Sequence, residues 1–489
     1  MQGTRESVLD RVITWVTNNS GEKDNSNTYW IYGLPGIGKT SLAHSICANL
    51  HDREQLAGAF FCRSDDADLS EPRNIQPTLI YKLTEIFPPF RKVVAERLQK
   101  DPRLTPESMK HTLFLDFICH LPRHPKHVLV FVIDALDECG DDRSRPALLR
   151  GLMDVAADAP WLRFIIMSRP EDDIRCFFNT LTRMSFSSYD LATDQEAVAD
   201  LRTFAQREFD LVAKKWCLST PWPEGSLFDG VISRANGLFI FIKTVVLALE
   251  NCADPTETLE EALQGSAGTG LEPLYCLYSS ILRARIVHRN AEFRQVIGVL
   301  LATAPYRPLR EETIARMAGV KPNLVKKWVN ELSSLLYRDE GANGGIRVRH
   351  LSISDFFVND SCHSDYQVNL QDANVQLGVA CLEIMVEQLR FNICKLENSQ
   401  LPNADIKDLQ SRIEENISDP LQYSCVYWSN HLCSTPNWRV LGTLKEFFEG
   451  LYPLFWIEVL SIMGMIPIGA PSLRRVISWV KVRDSPGLR

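Results

Sequence analysis

The chain has 489 residues, 45% of them apolar and 23% charged, too many for one hydrophobic core and too apolar for a disordered polypeptide. Lysine and arginine total 53 against 61 acidic residues, a formal charge of -8, which argues against an extended polyphosphate backbone as the main partner. The 13 cysteines include no C-x-x-C pair and no secretory signal peptide precedes them, so a reduced cytoplasmic setting is expected rather than a zinc ribbon or a thioredoxin-like site.

Residues 1–27 read as an amphipathic helix, apolar at Val8, Val12, Ile13 and Val16, followed by the polar linker "NNSGEKDNSN". From 28 to about 190, the apolar runs "YWIYG", "GAFFC", "VLVFVID", "RFIIMS" and "RMSFSSY" alternate with helical segments. Continuous runs suit strands buried on both faces, so a parallel sheet flanked by helices is expected. Residues 191–299 change to a period of 3.6, through Val198, Leu201, Phe204, Ala205, Phe209 and Val212, which describes a helical domain.

Between 300 and 365, two helices separated by a Gly-Val turn precede two short strands around "EGANGG", the order of a winged helix. Its second helix should pack through Leu324, Val325, Trp328, Val329 and Leu332, leaving Lys321, Lys326 and Lys327 on a solvated face rather than on DNA. Residues 366–489 read as a further helical domain, helical up to Val480, without a repeat that would encode a solenoid or propeller. Within it, Leu451 to Leu473 is apolar, but Glu458 and prolines 453, 467 and 471 argue for two buried helices joined by a turn and against a membrane span. The expected fold class is α/β plus α.

Chemistry concentrates in "WIYGLPGIGKTSLAHSIC". Gly33, Gly38, Lys39 and Thr40 match G-x-x-x-x-G-K-[ST], with Gly36 adding backbone freedom. After a buried strand and before a helix, such a loop turns main-chain amides and the helix N-terminus toward a phosphate. The residues expected to hold nucleotide are Gly33, Pro35, Gly36, Ile37, Gly38, Lys39, Thr40 and Ser41, with Lys39 reaching the β- and γ-phosphates and Thr40 joining a Mg²⁺ shell. In "VLVFVIDALDEC" an apolar strand carries Asp134 to the sheet edge as a second Mg²⁺ contact, while Asp137 and Glu138 are candidates to polarise an attacking water. "RFIIMSRP" brings Ser168 and Arg169 beside the γ-phosphate; a salt bridge from Arg169 to Glu171 or Asp172 is the alternative.

Together these segments resemble the NACHT ATPases of the signal-transducing STAND class of P-loop proteins, in particular the large fungal NLR-like set. The likeness runs through "GTRESVLDRVITWV", "DALDEC", "ANGLFIF", "RHLSISDFF" and "LQYSCVYWSNHL". It implies a nucleotide-operated switch that holds ADP, or ATP with Mg²⁺, hydrolyses slowly, engages protein partners and forms homo-oligomers. ATP is chosen over GTP on the resemblance alone, because the motif contacts only phosphates. In the family scheme His350 touches the β-phosphate; read by itself, it is a lone histidine ending a strand, more often a satisfied structural residue. Phe239 stands where relatives carry a proline against the base, and the WD-type repeats common among relatives are not in this sequence. A non-catalytic nucleotide-binding scaffold and a DNA-binding ATPase are the competing readings. The histidines of "HLPRHPKH", His120, His124 and His127, are separated by Pro122 and Pro125, which argues against a metal site there.

Overall fold

The computed structural model describes residues 4–17, 26–100, 114, 117–118, 127–181, 186–250, 252–263, 270–286, 290–339, 344–359, 362, 365–398, 401–432 and 439–483. The linker residues 18–25, His120, His124 and the hairpin-loop residues 340–343 lie outside the described residues. Two compact units divide the chain, Met1–Ile281 and Leu282–Arg489.

The first unit opens with α1 (Glu6–Thr17), which buries Val8, Val12, Ile13 and Val16 as its periodicity requires, together with Trp15. A parallel sheet follows, with β1 (Thr28–Tyr32), α2 (Lys39–Asp52), β2 (Leu56–Phe61), α3 (Ile75–Ile86), α4 (Pro88–Lys100), β3 (Leu129–Asp134), α5 (Ser144–Asp158), β4 (Leu162–Ser168), α6 (Asp172–Thr180) and β5 (Ser187–Asp190). Strand order is β2-β3-β4-β1-β5, every pairing parallel. Each of the five apolar runs therefore contributes a strand to one sheet, the last through Ser187–Asp190 at the sheet edge, where it is only partly buried; residues 183–185 of that run lie outside the described residues. Every residue of β3 and of β4 is buried, which is why these runs are continuous rather than alternating. Phe131 and Phe164 stack at 5.7 Å between ring centroids in the middle of the sheet; burying one such side chain contributes about 1.5–3 kcal/mol.

Helices continue as α7 (Ala197–Trp216), α8 (Gly225–Ala235), α9 (Phe239–Leu249), α10 (Pro255–Ala262) and α11 (Glu272–Arg285). One position departs from the periodic reading: Val198 is 56% exposed, because it lies in the first turn of α7, before Leu201, Ala205 and Phe209 reach the core.

The second unit contains α12 (Asn290–Thr303), α13 (Glu311–Ala318), α14 (Pro322–Glu331) and the antiparallel pair β6 (Leu336–Arg338) and β7 (Ile346–Val348), then α15 (Leu351–Val358) and α16 (Leu370–Gln388). Gly319, at φ 67°, ends α13 in the left-handed conformation that the turn demands. Val325, Trp328, Val329 and Leu332 are buried, Leu324 in the first turn of α14 is only half-buried, and Lys321, Lys326 and Lys327 are exposed. After them come α17 (Leu409–Asn416), α18 (Asp419–Leu432), α19 (Arg439–Glu449), α20 (Tyr452–Ile462) and α21 (Gly469–Arg483). The apolar stretch 451–473 does form two helices joined by a turn, but they are not wholly buried. Leu451 and Leu454 are each 63% exposed, since α20 turns only Trp456, Val459, Leu460 and Ile462 inward. Among the described residues no helix is long and apolar enough to cross a membrane.

Candidate functional site

β1 ends in Tyr32, and Gly33 begins a loop that closes on α2. Gly36 at φ 79° and Gly38 at φ 98° take conformations that side-chain-bearing residues avoid, so the loop can coil tightly around Ile37, which is buried. Gly38 is the N-cap of α2 and offers no side chain, so nothing on the loop's own side chains caps the first amides of that helix. Lys39 is buried and folds back over the loop, its Nζ donating to the carbonyls of Gly33 at 2.8 Å and Leu34 at 3.0 Å. Burial pulls its pKa down to about 8 against the opposing pull of Asp137, and the fields of Arg169, Asp134 and Glu138 also reach it. Pro35 is buried, Ser41 half-buried and Thr40 exposed at the start of α2.

Asp134 closes β3 at 1% exposure. Burial raises its pKa, and a hydrogen bond from the Thr40 hydroxyl works against that rise. Its Oδ1 has no hydrogen-bond partner, an arrangement that leaves a buried carboxylate oxygen beside a hydroxyl. The chain then turns sharply through Ala135 at φ 53° into a single 3₁₀ turn, Leu136–Glu138. Asp137 is held on both oxygens by one residue, Oδ1 accepting from the Arg169 backbone N–H at 2.8 Å and Oδ2 pairing with Arg169 Nε at 3.1 Å. That ion pair joins the ends of β3 and β4 and was not among the partners the sequence suggested for Arg169. Glu138 Oε2 accepts from the Ser64 N–H at 3.2 Å, and burial, then the charge of Asp137, pushes its pKa up to about 7. Ser168 is fully buried, its hydroxyl accepting from Trp30 Nε1 at 2.9 Å, so it braces β1 against β4.

Residues the sequence gave no reason to single out complete the site. Arg145 on α5 pairs with Asp173 at 2.7 Å and donates to the carbonyls of Asp137 and Gly140, each at 3.2 Å, which steadies the acidic turn. Ile240 in α9 donates its N–H to the Gly36 carbonyl at 3.2 Å, and its side chain fills the space where a Cβ at position 36 would stand. Arg5, just before α1, donates to the Ile37 carbonyl at 3.2 Å. None of these carries a local pattern; only contact across the fold reveals them.

Within the first unit, then, Gly33 to Ser41, Asp134, Asp137, Glu138 and Arg169 gather where the carboxyl ends of β1, β3 and β4 meet, the usual ligand edge of an open α/β sheet. A partnerless buried carboxylate oxygen beside Thr40 has the hard oxygen chemistry that Mg²⁺ prefers. His350 belongs to the second unit. There it caps α15, its Nδ1 accepting from the Ser352 N–H at 3.1 Å and lying 2.7 Å from the Ser352 hydroxyl. Phe239 contacts Phe204 at 5.3 Å and lies under the Arg5 guanidinium at 5.5 Å.

Residues 3–169 match the family model described as Nephrocystin 3, N-terminal, about a third of the chain. No curated protein matches the sequence. Solved structures overlap it loosely. The Walker-type ATPase PABY2304 of Pyrococcus abyssi is 12% identical, covering 72% of this chain and 95% of that one at a TM-score of 0.30. The Orc1 protein of Aeropyrum pernix, solved in complex with DNA, is 13% identical over 73% and 93% at 0.33. Cdc6p from Pyrobaculum aerophilum is 11% identical over 72% and 93%, also at 0.33.

Proposed function

We propose that the first unit is a P-loop nucleotide-binding module that takes a nucleoside di- or triphosphate with Mg²⁺, hydrolyses the triphosphate slowly, and acts as a switch of the NACHT type in signalling. The observation that carries this reading is the juxtaposition of an uncapped helix N-terminus, a buried lysine and a buried carboxylate oxygen without a partner. Loop N–H groups between Gly33 and Ser41, all but Pro35, which has none, hold phosphate oxygens, Lys39 carries the compensating charge, and Thr40 with Asp134 would hold the cation. Bound there, Mg²⁺ supplies charge neutralisation at the phosphoryl oxygens.

The acidic turn divides its work. Asp137, engaged on both oxygens, positions Arg169, whose guanidinium faces the transferring charge. Glu138 is the proton acceptor for water, its carboxyl near neutrality where proton transfer is most efficient. The domain plan of pre-domain helix (1–27), nucleotide domain (28–190), helical domain (191–299), winged helix (300–365) and C-terminal helices (366–489) belongs to the same proposal, as do ATP in preference to GTP and His350 as a nucleotide sensor.

The experiment is equilibrium binding of ADP and GDP to the purified chain, with and without Mg²⁺. Lys39→Ala should abolish binding and Asp134→Asn should remove its Mg²⁺ dependence; equal affinity in Lys39→Ala and wild type ends the reading. A second reading, a non-catalytic scaffold with a structural nucleotide, is favoured by the mutual neutralisation of Asp137 and Arg169. Single-turnover hydrolysis separates the two, because a rate unchanged by Asp137→Ala and Glu138→Ala belongs to the scaffold.

A further inference from the structure

We propose that Arg5 is a positioning residue of the phosphate loop, fixing the side toward which its amides face; this deepens the nucleotide reading above and rests on it. Arg5 is 3% exposed and adopts φ 58°, a left-handed backbone that a side-chain-bearing residue rarely takes. Strain of this kind persists where the surroundings hold it, and four contacts hold Arg5. Its backbone N–H donates to Asp200 at 2.9 Å, Nη1 pairs with Asp194 at 2.5 Å, Nη2 donates to the Ile37 carbonyl at 3.2 Å, and the guanidinium lies over Phe239. Nε is buried without a partner, so the arrangement is not one that maximises stability.

Peptide planarity turns these anchors into a directional effect. In a trans peptide the C=O and the following N–H point to opposite sides. Arg5 draws the Ile37 carbonyl toward itself, so the N–H of Gly38 faces the other way. The Ile240 N–H does the same to the Gly36 carbonyl, turning the N–H of Ile37 inward, where it makes only a long 3.4 Å turn bond to Leu34. Two successive loop amides are thus aimed by groups outside the loop, one from the segment before α1 and one from the first turn of α9. Because Asp194 and Asp200 flank and begin α7, and Phe239 and Ile240 begin α9, the same guanidinium links the loop to both helices. A lysine could reach one acceptor but lacks the fork that serves Asp194 and Ile37 together.

The test is direct calorimetric binding of inorganic pyrophosphate and of ADP to the full chain, for wild type, Arg5→Ala, Arg5→Lys and Lys39→Ala, each with a melting curve. Arg5→Ala should weaken pyrophosphate and ADP alike by tenfold or more, and Arg5→Lys by an intermediate factor. Arg5 variants that bind both within twofold of wild type, while Lys39→Ala does not, overturn this assignment and leave the nucleotide reading standing; so does a loss for ADP with pyrophosphate unchanged, which would put Arg5 on the base side. Lys39→Ala binding pyrophosphate as wild type sinks the nucleotide reading itself. Should Arg5→Ala fail to fold, Asp194→Asn, which removes the counter-charge that holds the fork, must show the same pyrophosphate defect.

Discussion

Replacing Gly36 with alanine should strain the loop against α9, and the size of the effect can be worked out. At φ 79° an alanine costs about 1–2 kcal/mol through its backbone alone. The new Cβ would stand 2.0 Å from Ile240 Cγ2 and 2.8 Å from Ile240 Cβ, so one partner must move. Retreat of Ile240 breaks its N–H bond to the Gly36 carbonyl, and overpacking of this kind costs about 1–3 kcal/mol. The total for Gly36→Ala is therefore about 2–5 kcal/mol. Ile240→Ala removes the 2.0 Å clash but leaves the 2.8 Å one, so the double variant should recover about 1–2 kcal/mol relative to the sum of the singles. Native-state hydrogen exchange on the buried amides of β3 and β4 measures the opening free energy of this unit without interference from the other. Additivity of the two substitutions within about 0.5 kcal/mol would falsify the contact.

Three further outcomes follow from titratable groups. If nucleotide binding uses the Lys39 ammonium, as proposed, then with burial pulling the Lys39 pKa down to about 8, affinity at constant Mg²⁺ should decline as pH rises through 8 and binding should take up a proton there, which calorimetry in two buffers of different ionisation heat detects. Hydrolysis should show a rising limb with an apparent pKa near 7 from Glu138; Glu138→Gln should lose that limb and about 10²–10⁴-fold of the rate, and a limb that survives the substitution removes Glu138 from the chemistry. His431 on α18 is fully buried and bonded to Tyr423 Oη and Asn374 Oδ1, each at 2.8 Å, and burial pushes its pKa down to about 3. Its unfolded-state pKa is higher, so the unfolded chain binds the extra proton between pH 6.5 and 3 and the second unit loses stability as pH falls through that window. The loss is on the order of a few kcal/mol, and a difference curve against His431→Gln that is flat from pH 6.5 to 4 would contradict it.

What could be read from the sequence was whatever is local. Strands β3 and β4 announced themselves because both faces are buried, and the glycines of the loop because only their backbones fit the turn. Asp134 was legible as the charge ending an apolar run. Nothing local marks the Arg169–Asp137 pair, since 32 residues separate two groups that only strand order β3-β4 makes neighbours. Arg5 is still less visible: one arginine at the head of an amphipathic helix looks solvated until α7 and α9 close over it. The exposure of Leu454 was missed for the opposite reason, because hydrophobicity along the chain says that a helix wants to be covered, not which side of it is.

Lys39 hangs from the carbonyls at the mouth of its own loop, and that has a kinetic consequence. A hook already drawn into shape by its own backbone gives up little freedom when an anion arrives, so capture should proceed at the pace of diffusion and orientation, without a slow phase of loop folding. On the proposed reading, release, which would part the buried Lys39 ammonium from phosphate oxygens, is then the step that sets how long the occupied state lasts.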